Sequence, residues 1–465
     1  MNSSTTSRRN FLSASFATSA VFGAESSLLA DDTRKAAAND GQARNVIFMV
    51  SDGMNLGAPS LAKLFRQRSG GTEPHWTKSY RERPVVRALV ETYSASSCVT
   101  DSAAAASAWG IGERITNGML NILPDGRPLP TLHEKLQKVG KRTGLVTTAT
   151  ITHATPAGFA ATSKDRGKEP DIAEQYLDRK VDVLLGGGIK NFSDDLRKKY
   201  SSAGYGFVGD RKALQKVGGE AGTPLLGLFS DGHMPFELDR LNDPKLDLSV
   251  PRLAEMTGAA LRQLDGSPEG FFLLVEGARI DHAGHANDAA ASIHDQLAFD
   301  DAIGVALDYI DKHPDTLLVI TTDHGCGGIQ MNGVKGNPDE QFGPGSYAGS
   351  NSYFDRLQGF RHSFEWMKAD GVAALSGPKL AAAFEKYTGL KLTEDQTKLA
   401  QGLKDRVGAV VFEHTGVGWT SQNHTGELVE FCAFGPGSKR FPAFMQNREV
   451  HGILLDILDV KKVPA

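Results

Sequence analysis

Phe271-Phe272-Leu273-Leu274-Val275-Glu276-Gly277-Ala278-Arg279-Ile280-Asp281-His282-Ala283-Gly284-His285 is the stretch whose reading decides the fold. It opens with five apolar residues in a row, which predicts a strand buried on both faces. Potential metal ligands crowd the residues that follow. Asp281 and His285 stand four apart, one turn if helical, so both can reach a single cation. A solvated helix start is the plainer reading of such a run. Its place beyond a buried strand favours metal, because open α/β sheets bind ligands past the carboxyl ends of their strands.

The same layout recurs outward from this stretch. Arg44 to Ser51 is an apolar run ending in Asp52-Gly53, and Leu317 to Thr322 ends in Asp323-His324. Thr143 to Thr150 ends in Thr152-His153-Ala154-Thr155-Pro156, with Pro156 placed at the first position of a helix. Val99-Thr100 runs into Asp101-Ser102 and then a small-residue helix through Gly110. Ser102 falls in its first turn, where free N–H groups favour an anion. Asp or Ser at such a corner is most often only a helix cap. Independent caps would not all fall at strand ends with ligand-type side chains, and this repetition outweighs the separate plain readings.

Further strands are expected at Arg87–Tyr93, Val181–Gly188, Pro224–Phe229 and Leu428–Phe434, and a hairpin at Asp125-Gly126. The Gly186-Gly187-Gly188 triplet lacks the Lys and Ser/Thr of a phosphate loop and reads as a structural turn. Helices are expected over Glu169–Arg179, Val250–Leu264 and Asn287–His313. From about 325 to 420 the texture changes. Gly343-Pro344-Gly345-Ser346-Tyr347 is loop-like, Phe354–Met367 is aromatic-rich, and Lys379–Tyr387 and Thr393–Asp405 read as helices. An insertion or cap subdomain over the site is expected there.

With 465 residues the chain can form one large α/β domain or two ordinary ones. A net charge of −4 gives no electrostatic reason to expect nucleic acid or an anionic membrane as partner. Ser7-Arg8-Arg9-Asn10-Phe11-Leu12, followed by a weakly apolar stretch to about Ala24, reads as a Tat-type (twin-arginine) export signal over residues 1–30. Cleavage after Ala24 or Ala30 and a linker over 31–43 complete this reading. The apolar run is too short and too polar to span a bilayer. A periplasmic or secreted protein with no stable membrane anchor after cleavage is expected. The three cysteines, Cys98, Cys326 and Cys432, read as buried thiols, with a Cys98–Cys432 bridge left open.

Six motifs in order resemble the alkaline phosphatase family: Ser51-Asp52-Gly53, Thr100–Ala104, His153–Ala157, Val275–His285, Thr321–His324 and His424–Gly426. The resemblance runs from Asn45 to about Phe434. It implies one domain over 44–465: a three-layer α/β/α sandwich with a mostly parallel central sheet, helices on both faces and a cap or crown insertion. It implies two zinc ions (Zn2+) and one magnesium ion (Mg2+). Asp281, His285 and His424 would hold the first zinc. Asp52, Asp323 and His324 would hold the second, with Ser102 as its reactive ligand. Asp52, Thr155 and Glu276 would hold the magnesium. Arg166 would clamp phosphate and Asp101 would orient Arg166. His153 and His282 stand where members differ, some with Asp and Lys and others with His at both, and would lie near the third ion and the phosphate. Glu413-His414-Thr415-Gly416 repeats the last motif, and His424 is preferred because a strand ending in Gly-Pro follows it.

The implied activity is hydrolysis of small phosphate monoesters through a phosphoserine on Ser102. An Arg fork binding two phosphate oxygens and paired cations flanking an in-line displacement suit that chemistry. A phosphodiesterase or phosphonate hydrolase of the same superfamily is the nearest alternative, and such enzymes tend to lack the Thr155/Glu276 site and the Arg clamp. An inactive exported metal-binding protein would need a lost ligand, and none is lost. Family members are often homodimers, though nothing in the sequence marks a dimer surface.

Overall fold

The structure is a computed structural model that describes residues 41–218, 222–335, 347–348 and 351–460. The expected export signal, the linker up to residue 40 and the Gly343–Ser346 part of the loop lie outside the described residues. In chain order the strands are β1 (Asn45–Val50), β2 (Val86–Glu91), β3 (Arg142–Thr150), β4 (Val183–Gly187), β5 (Gly206–Val208), β6 (Leu225–Leu228), β7 (Phe271–Glu276) and β8 (Thr316–Thr321). Short strands follow: β9 (Gly325–Cys326), β10 (Gln330–Met331), β11 (Val334–Lys335), β12 (Tyr347–Ala348), β13 (Val417–Gly418) and β14 (His424–Thr425). The last two are β15 (Val429–Phe434) and β16 (Phe444–Gln446).

A 10-stranded sheet in the order β16-β2-β15-β8-β1-β7-β3-β4-β6-β5 organises the chain. Its pairs are parallel except those of β15, which runs antiparallel to both β2 and β8. The apolar runs β1, β7 and β8 are buried at every residue. Alternate side chains feed two cores. Ile47, Met49, Leu273, Val275, Leu318 and Ile320 face one, and Val46, Phe48, Phe272, Leu274, Leu317 and Val319 face the other. This is the period-two alternation of a strand covered on both faces.

Helices Leu253–Leu264 and Ala289–Lys312 cover the first face through Met256, Ala260, Ile293, Phe299 and Ile303. Helices Ser102–Ile111, Ala154–Ala160 and Glu449–Ile457 cover the second through Ala103, Trp109, Phe159, Val450 and Leu454. The small residues of the Ser102 helix have a packing reason. A Cβ on Gly110 would lie 1.9 Å from the Gly158 carbonyl oxygen, and one on Gly158 would lie 2.5 Å from Ala106 Cβ. Two helices that close exclude anything larger at these points.

Register sets the site. Val50 of β1 pairs with Glu276 of β7 and with Thr321 of β8, and Thr147 of β3 pairs with Glu276. The carboxyl ends of β8, β1 and β7 are therefore level, while β3 runs on to Thr150, and Asp52, Glu276 and Asp323 emerge side by side.

The structure corrects several local expectations. The helix expected from Asn287 begins at Ala289, because Asn287 adopts φ 51° and separates it from the helix Arg279–Ala286. Pro156 is the third residue of its helix, which starts at Ala154 with extended His153 before it. The helix expected over Thr393–Asp405 ends at Leu399, and a short turn follows with Gly402 at φ 74°. Asp125-Gly126 does form the expected turn, closed by the antiparallel bridge Ile122–Pro128. All three cysteines are free and Cys98 is exposed, so the Cys98–Cys432 bridge is not formed. Cys432 is buried on β15, where its sulfur accepts from Trp76 Nε1 at 3.3 Å. The buried side chains between β8 and β13, among them Phe354, Phe364, Leu380 and Phe384, join the core of the first face. No helix among the described residues is long and apolar enough to cross a membrane.

Candidate active site

Three groups of ligand atoms gather at the carboxyl edge of the sheet. Asp281, His285, His424 and Cys326 form one, Asp52, Asp281 and His324 a second, and Asp52, His153 and Glu276 a third. Within each group the atoms lie within 4.8 Å of one another. Asp323 belongs beside the second, with Oδ2 3.0 Å from His324 Nε2. Thr155, buried at the start of its helix, lies next to Glu276. The acidic and imidazole residues expected to hold the three ions are thus at one place.

The imidazoles are aimed. His285 Nδ1 is 2.7 Å from the Gln422 carbonyl, His424 Nδ1 is 2.9 Å from the Thr100 carbonyl, and His324 Nδ1 is 3.3 Å from the Gly325 carbonyl. A carbonyl only accepts, so each Nδ1 carries the hydrogen and each Nε2 turns a lone pair inward. His285 Nε2 and His424 Nε2 then face each other at 3.1 Å, with Asp281 oxygens 3.4 and 3.5 Å away. Four lone pairs converging on one point repel unless a cation sits among them. This nitrogen and oxygen set suits zinc, and the Asp52–Thr155–Glu276 oxygens suit magnesium.

The carboxylates make the same demand. Both Asp52 oxygens, Glu276 Oε1, Asp281 Oδ1, Asp323 Oδ2 and Thr155 Oγ1 are buried with no hydrogen-bond partner. Orphaned buried oxygens are rare and costly. Burial, then the charges of Asp323, Asp281 and Glu276, push the Asp52 carboxyl far above its ordinary range. Burial pushes Glu276 up to about 7. Burial disfavours a charged His324, yet Asp323 beside it, with Asp281 and the Gly325 carbonyl, outweighs burial and raises its pKa. A divalent cation relieves these penalties together. The backbone has made room for the cluster: at Gly53, φ 72°, a Cβ would lie 2.6 Å from Asp281 Cα.

Ser102 begins its helix against this basin, with Oγ 3.2 Å from His324 Nε2. Asp101 is indeed the cap, accepting from Ala104 N at 2.9 Å through Oδ1. Its Oδ2 accepts from Gly118 N at 2.9 Å and from Arg166 Nη1 at 3.1 Å. Arg166 Nη2 donates to His153 Nε2 at 3.0 Å. The guanidinium is thus held from both sides and is only a quarter exposed.

The rival motif separates cleanly. His424 lies on β14, which pairs antiparallel with β9, so His424 is opposite Cys326. His414 lies in the last turn of the helix Val407–Thr415 and meets Gln396 Oε1 at 3.2 Å instead. The Gly186–Gly188 turn is structural, since a Cβ on Gly187 would lie 2.2 Å from the Gly232 carbonyl oxygen.

Sequence reasoning missed three neighbours. Cys326, two residues past His324, joins the Asp281 group, and its spacing was a usable signal. His233 comes from a separate loop and packs on His282 and His153, with ring centroids 4.5 and 5.5 Å away. Arg279 stands inside the opening stretch and contacts His282.

Comparison with known proteins agrees with this geometry. A family model described as alkaline phosphatase matches residues 43–460. Alkaline phosphatase 4 of Bacillus subtilis (strain 168) is 30% identical over 453 residues, covering 92% of each chain. The crystal structure of Thermus thermophilus alkaline phosphatase superposes with a TM-score of 0.81 at 32% identity, over 92% of this chain and 95% of that one. The cold-active enzyme from a psychrophilic Shewanella sp. gives 0.76 at 29% identity, over 89% and 99%. With the strand-end ligands, the Ser102 corner and these matches in agreement, the chain belongs to the alkaline phosphatase family.

Proposed function

We propose that this protein hydrolyses phosphate monoesters to alcohol and inorganic phosphate through a phosphoserine on Ser102, with two zinc ions and one magnesium ion. The observation that carries the reading is Ser102 Oγ, 3.2 Å from His324 Nε2, set between a basin of unpartnered carboxylate oxygens and the Arg166 fork. Asp281, His285 and His424 would hold one zinc. Asp52, Asp323 and His324, with Ser102, would hold the other, and Asp52, Thr155 and Glu276 the magnesium. Bound there, the cations would lower the pKa of the Ser102 hydroxyl and neutralise charge on the phosphate and the leaving oxygen.

The chain's own groups do the rest. Arg166 offers parallel N–H donors to two phosphate oxygens, and Asp101 and His153 hold its plane. The N-terminus of the Ser102 helix adds free N–H groups. Ser102 loses its proton and Oγ bonds to phosphorus as the bond to the ester oxygen breaks. The departing alcohol takes up a proton. Water then cleaves the Oγ–phosphorus bond and Ser102 regains its proton, releasing phosphate. His285, 41% exposed, marks the side open to solvent. A doubly charged monoester would be favoured over a diester because the Arg fork, and a cation held by Asp52, Thr155 and Glu276, would both meet the extra negative charge. The twin-arginine segment Ser7–Leu12 supports export, and replacing both arginines by lysine should retain the precursor in the cytoplasm on fractionation.

Purified protein supplied with zinc and magnesium should hydrolyse an aryl phosphate at alkaline pH, faster than the matching diester. Metal analysis on the same sample should find both metals. Full activity in Ser102→Ala would sink the phosphoserine assignment, and a higher rate on the diester would make the protein a diesterase.

A further inference from the structure

Arg279 has no task in the reaction above, yet it is built into the site. Its side chain is 2% exposed, and its guanidinium stacks 3.8 Å from the centroid of the Phe236 ring. Nη2 donates to Glu365 Oε1 at 2.6 Å. Nη1 donates to His282 Nδ1 at 2.7 Å. Arginine only donates, so His282 Nδ1 must present its lone pair and the ring hydrogen must sit on Nε2. The His282 ring packs 5.7 Å from His153, centroid to centroid, and His153 accepts from Arg166. His282 is therefore one ring away from the phosphate fork.

Glu365 is equally well placed. It stands in the first turn of the helix Phe364–Ala369, in the region between β8 and β13. Two buried aspartates pin the start of that helix. Asp239 accepts from Ser363 N at 2.8 Å and from Ser363 Oγ at 2.6 Å, and Asp288 accepts from Phe364 N at 2.7 Å. The Glu365 carboxylate is itself 61% exposed, so it can be replaced without opening a core.

We propose that Arg279, held by Glu365, is a positioning residue that fixes His282 as the neutral Nε2–H tautomer, so that His282 offers phosphate an N–H donor and not a lone pair. The opposite tautomer would turn a lone pair toward a dianion and repel it. The inference rests on the reading of the Ser102–Arg166 pocket as the phosphate site. It also supplies a role for the helix Phe364–Ala369, which acts on the site through one carboxylate.

The test uses the metal-loaded protein with 15N-labelled histidine. Long-range 1H–15N correlation reports which ring nitrogen carries the hydrogen, and His282→Gln identifies the His282 signals. Wild type should show His282 protonated on Nε2 alone. Arg279→Met should mix the tautomers and weaken inhibition by inorganic phosphate about tenfold, the scale of one hydrogen bond to a charged group. Arg279→Lys, which still donates, should restore the tautomer and most of the inhibition. Glu365→Ala should shift both readouts in the same direction as Arg279→Met, and it decides the matter if Arg279→Met does not fold. Unchanged tautomer and unchanged phosphate inhibition in the folded variants would overturn the proposal. Wild type that binds phosphate with His282 protonated on Nδ1 would overturn this inference alone, whereas failure to bind phosphate at all would overturn the phosphate-site reading beneath it.

Discussion

Asp101 performs two tasks that substitution can separate. Oδ1 caps the Ser102 helix through Ala104 N, and Oδ2 accepts from Gly118 N and Arg166. Asparagine caps a helix about as well as aspartate, so Asp101→Asn keeps the first task. It fails at the second, because its amide nitrogen would face two donors. Losing the cap costs about 1 kcal/mol. Losing the Gly118 bond costs about 1 kcal/mol. The ion pair adds about 0.5 kcal/mol, since both side chains keep some exposure, 25% for Arg166 and 19% for Asp101, and solvent screens them. Asp101→Ala should therefore lose about 2.5 kcal/mol and Asp101→Asn about 1.5 kcal/mol. In both, Arg166 keeps His153 but loses its charged anchor, and phosphate affinity should fall about fivefold, near 1 kcal/mol. Urea unfolding at fixed zinc and magnesium measures the first quantity, and competitive inhibition by inorganic phosphate the second. Equal destabilisation by Asn and Ala would refute the cap. Unaltered phosphate inhibition in Asp101→Asn would show that Asp101 does not orient Arg166.

Gly53→Ala places a side chain at φ 72° and against Asp281, so it should cost more than the roughly 1 kcal/mol of the left-handed backbone alone. The expected result is lower zinc retention and a lower melting temperature, and full retention in metal analysis would contradict it. Chelation should expose a pH dependence. Burial raises Glu276 from 4.5 to about 7, so in that window the folded metal-free chain keeps a proton that the unfolded chain has released. Stability of the chelated protein should fall as pH rises through that window and stay low above it, while the metal-loaded protein shows no such slope. Melting curves at pH 5 and pH 8, with and without metal, check the sign. His424→Ala should lose zinc and activity, whereas His414→Ala should keep both. The reverse pattern would move the ligand to the rival motif.

Much of the site was legible because its acids and imidazoles sit just past apolar runs, and a run of apolar residues marks its own end. Asp52, Glu276, Asp281, His285, Asp323 and His324 could all be found that way. The cap reading of Asp101 also survives in the geometry, with a second task added to it. The limits are equally physical. His414 and His424 share the same local motif, and only the pairing of β14 with β9 separates them. Asn287 looked like the start of a long helix, but its left-handed conformation divides two helices. Cys98 carries no local mark of exposure, and its place in the loop before Ser102 decided that.

By itself, then, the sequence determined the layered α/β plan and the cluster of acids and imidazoles at the strand ends, since both are written in consecutive residues through burial, periodicity and the chemistry of side chains at a strand's end. Only the tertiary structure decided which way each imidazole points, how Arg166 is held, and that Glu365 reaches Arg279. Most of those contacts join segments far apart in the chain: 65 residues for Asp101 and Arg166, 86 for Arg279 and Glu365, and 324 for Thr100 and His424. Spacing along a chain carries no record of which surfaces packing will bring together.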